Sequence, residues 1–86
     1  MSVDGVTAQN GLTTYYDRET EIARLMLSQS TKKIIVADAS KIGRTAFVNI
    51  ADSSKADYLI TEHAAADKDE LDKLKKKIRR IVTVRA

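Results

Sequence analysis

Asp38-Ala39-Ser40-Lys41 places a carboxylate, a hydroxyl and an ammonium within four residues. Lys41 supplies a cation for a phosphate. Ser40 and nearby backbone N–H groups can hydrogen-bond anionic oxygens. Asp38 can accept from a sugar hydroxyl or hold Lys41 in place. The same residues would also serve as a polar strand-to-loop turn, because D-x-S-K is a short pattern. A second group is Asp4-Gly5-Val6 with Gly11-Leu12-Thr13-Thr14. Gly5 and Gly11 would let backbone approach a ligand closely, and the Thr13 hydroxyl can bind phosphate or sugar oxygens. Its plainer reading is an N-terminal loop. A third, Glu62-His63, pairs a carboxylate with an imidazole and so invites acid–base chemistry. Neighbours on a strand point to opposite faces, however, and no nucleophile stands nearby in the sequence, so His63 reads as a surface residue at a strand end. No P-loop or G-x-G-x-x-G pattern occurs.

These groups need elements to hold them. Residues 1–16 are polar and punctuated by Gly5 and by Asn10-Gly11, which predicts loop. Residues 17–29 predict a helix, with Asp17 as N-cap and Glu19 and Glu21 in the first turn. Ile22, Leu25 and Met26 would form its apolar face. Lys33–Ala37 (KIIVA) predicts a strand covered on both faces, as in a parallel sheet. Ala46–Ile50 and Tyr58–Thr61 predict two more strands, with a turn or short helix start at Asp52-Ser53-Ser54. Asp67 and Glu70 have the spacing of an N-cap and its third helical residue. Leu71, Leu74 and Ile78 share a face of the helix they open. Ile81–Val84 predicts a last strand. The expected fold class is therefore α/β: a partial, mainly parallel sheet with two helices, in the order loop, helix, strand, strand, strand, helix, strand.

The chain has 86 residues, a net charge of +3, no cysteine and one histidine. That length suits a single domain. The absence of cysteine excludes disulfides and, with His63 the single histidine, makes a His/Cys zinc site untenable, so no metal and no cofactor are expected. The lack of cysteine suits a reducing cytoplasm. No signal peptide is recognisable, and the longest apolar run is too short to span a bilayer, so a cytoplasmic protein with no membrane partner is expected. Residues 67–86 hold eight Lys/Arg against four Asp/Glu. Lys68, Lys73, Lys75, Lys76 and Lys77 read as the solvated face of the second helix rather than a nucleic-acid patch. No groove-reading element is visible, so no specific DNA binding by this chain is expected.

Taken in order, these pieces resemble the C-terminal domain of DeoR-family repressors. The resemblance runs through Asp4-Gly5-Val6, Gly11-Leu12-Thr13-Thr14, and a helix carrying Glu21, Arg24 and Met26. It continues through Asp38-Ala39-Ser40-Lys41-Ile42-Gly43-Arg44, Ala46-Phe47-Val48-Asn49-Ile50 and Ile60-Thr61-Glu62. It implies a fold shared with phosphopentose isomerases and CoA transferases. It also implies a sensor that binds a phosphorylated sugar and so weakens operator binding. Carried over motif by motif, Asp4, Gly5, Gly11, Thr13 and Lys41 would line or support the effector site. Asp38 and Ser40 join them from their position at a strand end. Family members also carry an N-terminal helix-turn-helix and further sensor strands. Neither is recognisable here, so residues 1–86 are expected to be a single-domain fragment of the sensor without its DNA-binding domain.

Three functions stand side by side: an effector-sensing fragment, a phosphosugar isomerase-like enzyme, and an oligomerisation module without a ligand. An enzyme would need a carboxylate base in a closed pocket, so a non-catalytic sensor is the leading expectation. Two helices are too few to cover both faces of the expected sheet, and a homo-oligomer follows from that shortfall.

Overall fold

A computed structural model of the chain describes residues 1–63 and 67–85; the Glu19 side chain also lies outside the described set. The element order is β1 (Gly5–Thr7), β2 (Gly11–Thr14), α1 (Asp17–Gln29), β3 (Ile34–Val36), β4 (Val48–Ala51), β5 (Tyr58–Glu62), α2 (Lys68–Leu74) and β6 (Arg80–Val84). Short 3-10 turns at Ala39–Lys41 and Ser53–Lys55 follow β3 and β4.

The strands form two sheets, not one. β5 lies between β3 and β6, and both pairings are parallel. Three of the four strands expected in one mainly parallel sheet are therefore found here; the strand expected at Ala46–Ile50, β4, is not among them. The other sheet is antiparallel, in the order β1-β2-β4. Residues 1–16, expected as loop, instead supply Ser2, bridged to Val36 of β3, and the β1–β2 hairpin. The glycines that suggested a loop are strand residues in places where no side chain fits. A Cβ on Gly5 would sit 2.3 Å from the Arg44 carbonyl oxygen, and one on Gly11 would sit 2.2 Å from that of Ala51. Gly11 also has φ +80°, a region that side chains disfavour. Asn10 closes the hairpin by donating its backbone N–H to Thr7 Oγ1 at 2.8 Å.

β4 starts two residues later than expected, at Val48. Ala46 is buried outside it, its N–H donated to Thr13 Oγ1 at 2.9 Å. β3 is buried on one face only, through Ile35; Ile34 and Val36 are exposed on the other. Helix α1 also turns away from its expected face. Thr20, Ala23 and Leu27 are buried, whereas Ile22, Leu25 and Met26 face outward. Thr20 and Ala23 are small enough to let the helix lie close on β4. Arg24 fixes it there, donating to the carbonyls of Ile50 (3.0 Å) and Asn49 (2.7 Å). Its N-cap is Tyr16, with no side-chain bond, so Asp17 is the first helical residue rather than the cap.

The second helix is as expected at its start: Asp67 caps α2 by accepting the Glu70 N–H at 3.1 Å, and Leu71 and Leu74 are buried. It is shorter than expected, ending at Leu74, so buried Ile78 and Lys75, Lys76 and Lys77 lie in the turn after it. Lys68, Lys73, Lys75, Lys76 and Lys77 are all exposed. The two sheets and both helices share one core, with Val6, Leu12, Ile35, Leu59 and Leu74 fully enclosed. Among the described residues, no helix is long and apolar enough to cross a membrane.

Two outcomes follow from these contacts. Gly11→Ala must accept a left-handed backbone and a clash with Ala51, so it should lower stability by about 2–4 kcal/mol in urea unfolding. Asp52 ties the 3-10 turn after β4 to the turn after α2. It accepts from the Ser54 hydroxyl and N–H, and from Lys77 Nζ at 3.0 Å. The Ser54 hydroxyl, then Lys77, hold its carboxyl down at about 2. A carboxyl depressed on folding stabilises above its unfolded value of 3.8 and loses that contribution as pH falls towards 2. Thermal melts should therefore show Tm falling between about pH 4 and pH 2, and Asp52→Asn should flatten that slope.

Candidate functional site

Asp38 lies two residues beyond β3 and caps the 3-10 turn that holds Ser40 and Lys41. Its Oδ1 accepts the Ser40 N–H at 3.1 Å and the Ser40 hydroxyl. These bonds, the Ser40 hydroxyl first and then the Lys41 charge, hold the Asp38 carboxyl below its ordinary value. The carboxylate therefore stays charged and keeps the turn closed. Glu62, at the end of the neighbouring parallel strand β5, reaches across. Its Oε1 accepts the Ala39 N–H at 3.1 Å. Thus two carboxylates already occupy the turn's first backbone donors. Lys41 is half-buried, and among the described residues its ammonium makes no hydrogen bond or ion pair.

The chain then runs from the turn along the hairpin. Gly43 donates its N–H to the Val6 carbonyl at 2.9 Å, and Ile42 bridges Val6 in parallel. Gly5, at the start of β1, packs against Arg44, while Thr13 bonds Ala46. The two motif groups seen in the sequence are therefore laid side by side. Thr13 is buried, and its hydroxyl and carbonyl are both engaged within the protein: the carbonyl accepts the Asp4 N–H at 2.9 Å. Asp4 Oδ2 accepts from the Thr14 hydroxyl (2.9 Å) and the Tyr15 N–H (3.1 Å), fixing the end of β2.

The expected site residues border different depressions. Asp38 and Glu62 edge a hollow of about 220 Å³ at the carboxyl ends of the parallel strands, floored by Val36, Ile60 and Val84. Asp4 edges a smaller one of about 90 Å³, beside Thr14, Ala23 and Ile50. Gly5 and Gly11 serve close backbone approaches, and Ser40 is exposed beside Asp38. Sequence reasoning missed Glu62 as a partner of the D-x-S-K turn. Its position at the end of a strand parallel to β3 was the available signal, since ends of adjacent parallel strands meet at one edge. It also missed Glu70, whose Oε2 accepts the Ala8 N–H at 2.9 Å and joins α2 to the hairpin. His63 is exposed, with its N–H on the Val84 carbonyl at 2.8 Å.

Comparison with known proteins places these features in a family. The model of the DeoR C terminal sensor domain matches residues 1–63. The HTH-type transcriptional regulator GlpR of Haloferax volcanii is 34% identical over 62 residues, covering 72% of this chain and 24% of the regulator. GolR of Listeria innocua, another HTH-type transcriptional regulator, is 33% identical over 63 residues, covering 73% and 25%. The HTH-type transcriptional repressor GlcR of Bacillus subtilis is 33% identical over 62 residues, covering 72% and 24%. The chain thus spans about a quarter of the length of these relatives. The matched residues contain the hairpin, the D-x-S-K turn and the strand ending in Glu62. The chain belongs to the family of DeoR C-terminal sensor domains.

Proposed function

We propose that this chain is the effector-sensing part of a DeoR-type transcriptional repressor working in the cytoplasm. It binds a phosphorylated sugar, and occupancy alters operator binding by a helix-turn-helix outside residues 1–86. Lys41 carries this reading. It is a half-buried cation without a partner among the described residues, on a turn at the carboxyl end of a parallel strand. Ligands of open α/β sheets bind at such strand ends, and a phosphate would give Lys41 a direct charge-assisted bond, which the nearby Asp38 carboxylate does not. The phosphate would compete with Glu62 for the Ala39 N–H, which links ligand entry to a movement at the end of β5. The parallel sheet and its D-x-S-K turn also support a relationship to the phosphopentose isomerase fold.

Calorimetric titration with a panel of pentose and hexose phosphates tests the reading. At least one should bind. Lys41→Ala should weaken that binding by about 10- to 100-fold, the worth of one charge-assisted contact, with Tm nearly unchanged. Binding by none of the panel, or unchanged affinity together with a lowered Tm, would make Lys41 a structural residue and sink the proposal.

A further inference from the structure

The D-x-S-K pattern occurs twice. Asp52-Ser53-Ser54-Lys55 repeats the spacing of Asp38-Ala39-Ser40-Lys41, and both fold into a 3-10 turn that ends on the lysine. In each, the aspartate accepts the N–H of the serine two residues on at 3.1 Å, and its hydroxyl as well. The two turns stand at opposite ends of the parallel sheet. The first follows β3, whereas Ser53–Lys55 leads into β5 at its amino end. Lys33, just before β3, lies at that same end. Its carbonyl accepts the N–H groups of Asp57 (2.8 Å) and Tyr58 (3.1 Å).

Lys55, Lys33 and Arg24 of α1 surround a hollow of about 250 Å³, floored by Leu27 and Ala51. Among the described residues, no carboxylate lines it. The aspartates of the adjoining segment are engaged elsewhere. Asp57 accepts the Lys33 backbone N–H at 2.9 Å, and Asp52 accepts from Ser54 and Lys77. Arg24 is held in place by the Ile50 and Asn49 carbonyls, which leave its remaining N–H donors free. Lys33 Nζ donates once, to the Ser30 carbonyl at 3.1 Å. Lys55 makes no hydrogen bond or ion pair among the described residues. Cations gathered without a carboxylate between them repel one another. An anion in the hollow would offset that repulsion and take up the free donors.

The shape of the hollow sets the class of anion. It is smaller than the roughly 300–1,000 Å³ of a pocket for a drug-sized ligand, and its floor is apolar. A phosphate monoester with a small carbon body fits both parts, the dianion among the cations and the body on Leu27 and Ala51. We propose that Arg24, Lys33 and Lys55 form a second anion site, for a small organic phosphate, at the amino ends of β3 and β5. It is independent of Lys41, which lies beyond the carboxyl end of β3. Occupancy would tie α1 to the turn before β5.

Phenyl phosphate is the probe, followed by two-dimensional NMR of the N–H groups. The titration is made on Lys41→Ala, so that its outcome does not depend on what the first turn binds. Shifts should appear at Lys33, Ser54, Lys55 and the Arg24 side chain, and Tm should rise with ligand concentration. Lys55→Gln removes an exposed group that makes no bond, so the fold should be unchanged while affinity falls roughly 3- to 10-fold. Lys55→Arg should restore it. Inorganic phosphate, without a carbon body, should bind more weakly. Absence of shifts at these residues would overturn the proposal, as would an affinity indifferent to Lys55→Gln or equal affinity for inorganic phosphate. A DNA duplex that displaces phenyl phosphate at equal phosphate concentration would assign the cations to a nucleic-acid backbone, and would overturn it too.

Discussion

Two places where the backbone has no room for a Cβ govern how this chain is assembled. At Gly5 the hairpin meets the Arg44 carbonyl, and at Gly11 it meets that of Ala51. Those contacts fix where residues 42–46 and β4 can run. The segment after the D-x-S-K turn is then held from both sides, by Val6 at Gly43 and by Thr13 at Ala46. The 3-10 turn with Lys41 is thereby set between the antiparallel hairpin and the end of the parallel sheet. Conformational freedom at two glycines, costly in the unfolded chain, is exchanged for the placement of a charged turn twenty-seven or more residues away in sequence.

The same contacts account for what was legible in the sequence and what was not. The start of the second helix was readable because its cap and two faces agree: Asp67 accepts from Glu70, Lys68 and Lys73 are solvated, and Leu71 and Leu74 are buried; its end at Leu74 was not, because Ile78 keeps the helical spacing from the turn beyond it. The hairpin was not, because glycine and polar threonine carry the signature of a loop. Only a long-range neighbour, Arg44 or Ala51, gives them their reason. Helix α1 misled for a related cause. Hydrophobic periodicity marks which residues avoid water, but the core takes the small face of Thr20 and Ala23, so that Arg24 can reach the carbonyls of β4.

In the candidate site, the D-x-S-K turn was visible as a motif at a strand end, and the structure keeps it there. Its chemistry was less visible. The backbone donors of the turn are taken by Asp38 and Glu62, so the turn is lined by carboxylates, with the charges of Lys41 and Arg44 beside them. Glu62 is twenty-one residues beyond Lys41 in sequence, and only the parallel pairing of β3 with β5 makes them neighbours. Spacing within a motif cannot reveal a partner that arrives through sheet topology.

The two sheets also differ in how far apart their strands lie along the chain. In the hairpin, Thr7 faces Gly11, a closure of only a few residues. In the parallel sheet, Ile35 faces Leu59 and Leu59 faces Ile81, each pairing closing a loop of more than twenty residues. Hairpins form in about 1–10 μs, whereas long-range parallel pairing must first meet the entropy of large loops. The hairpin is thus available early as a template with no side chain at its two contact points. Docking residues 42–46 on it, through Val6 with Ile42 and Thr13 with Ala46, closes loops of more than thirty residues, so the turn that bears Lys41 is held by contacts at least as long-range as those of the parallel sheet.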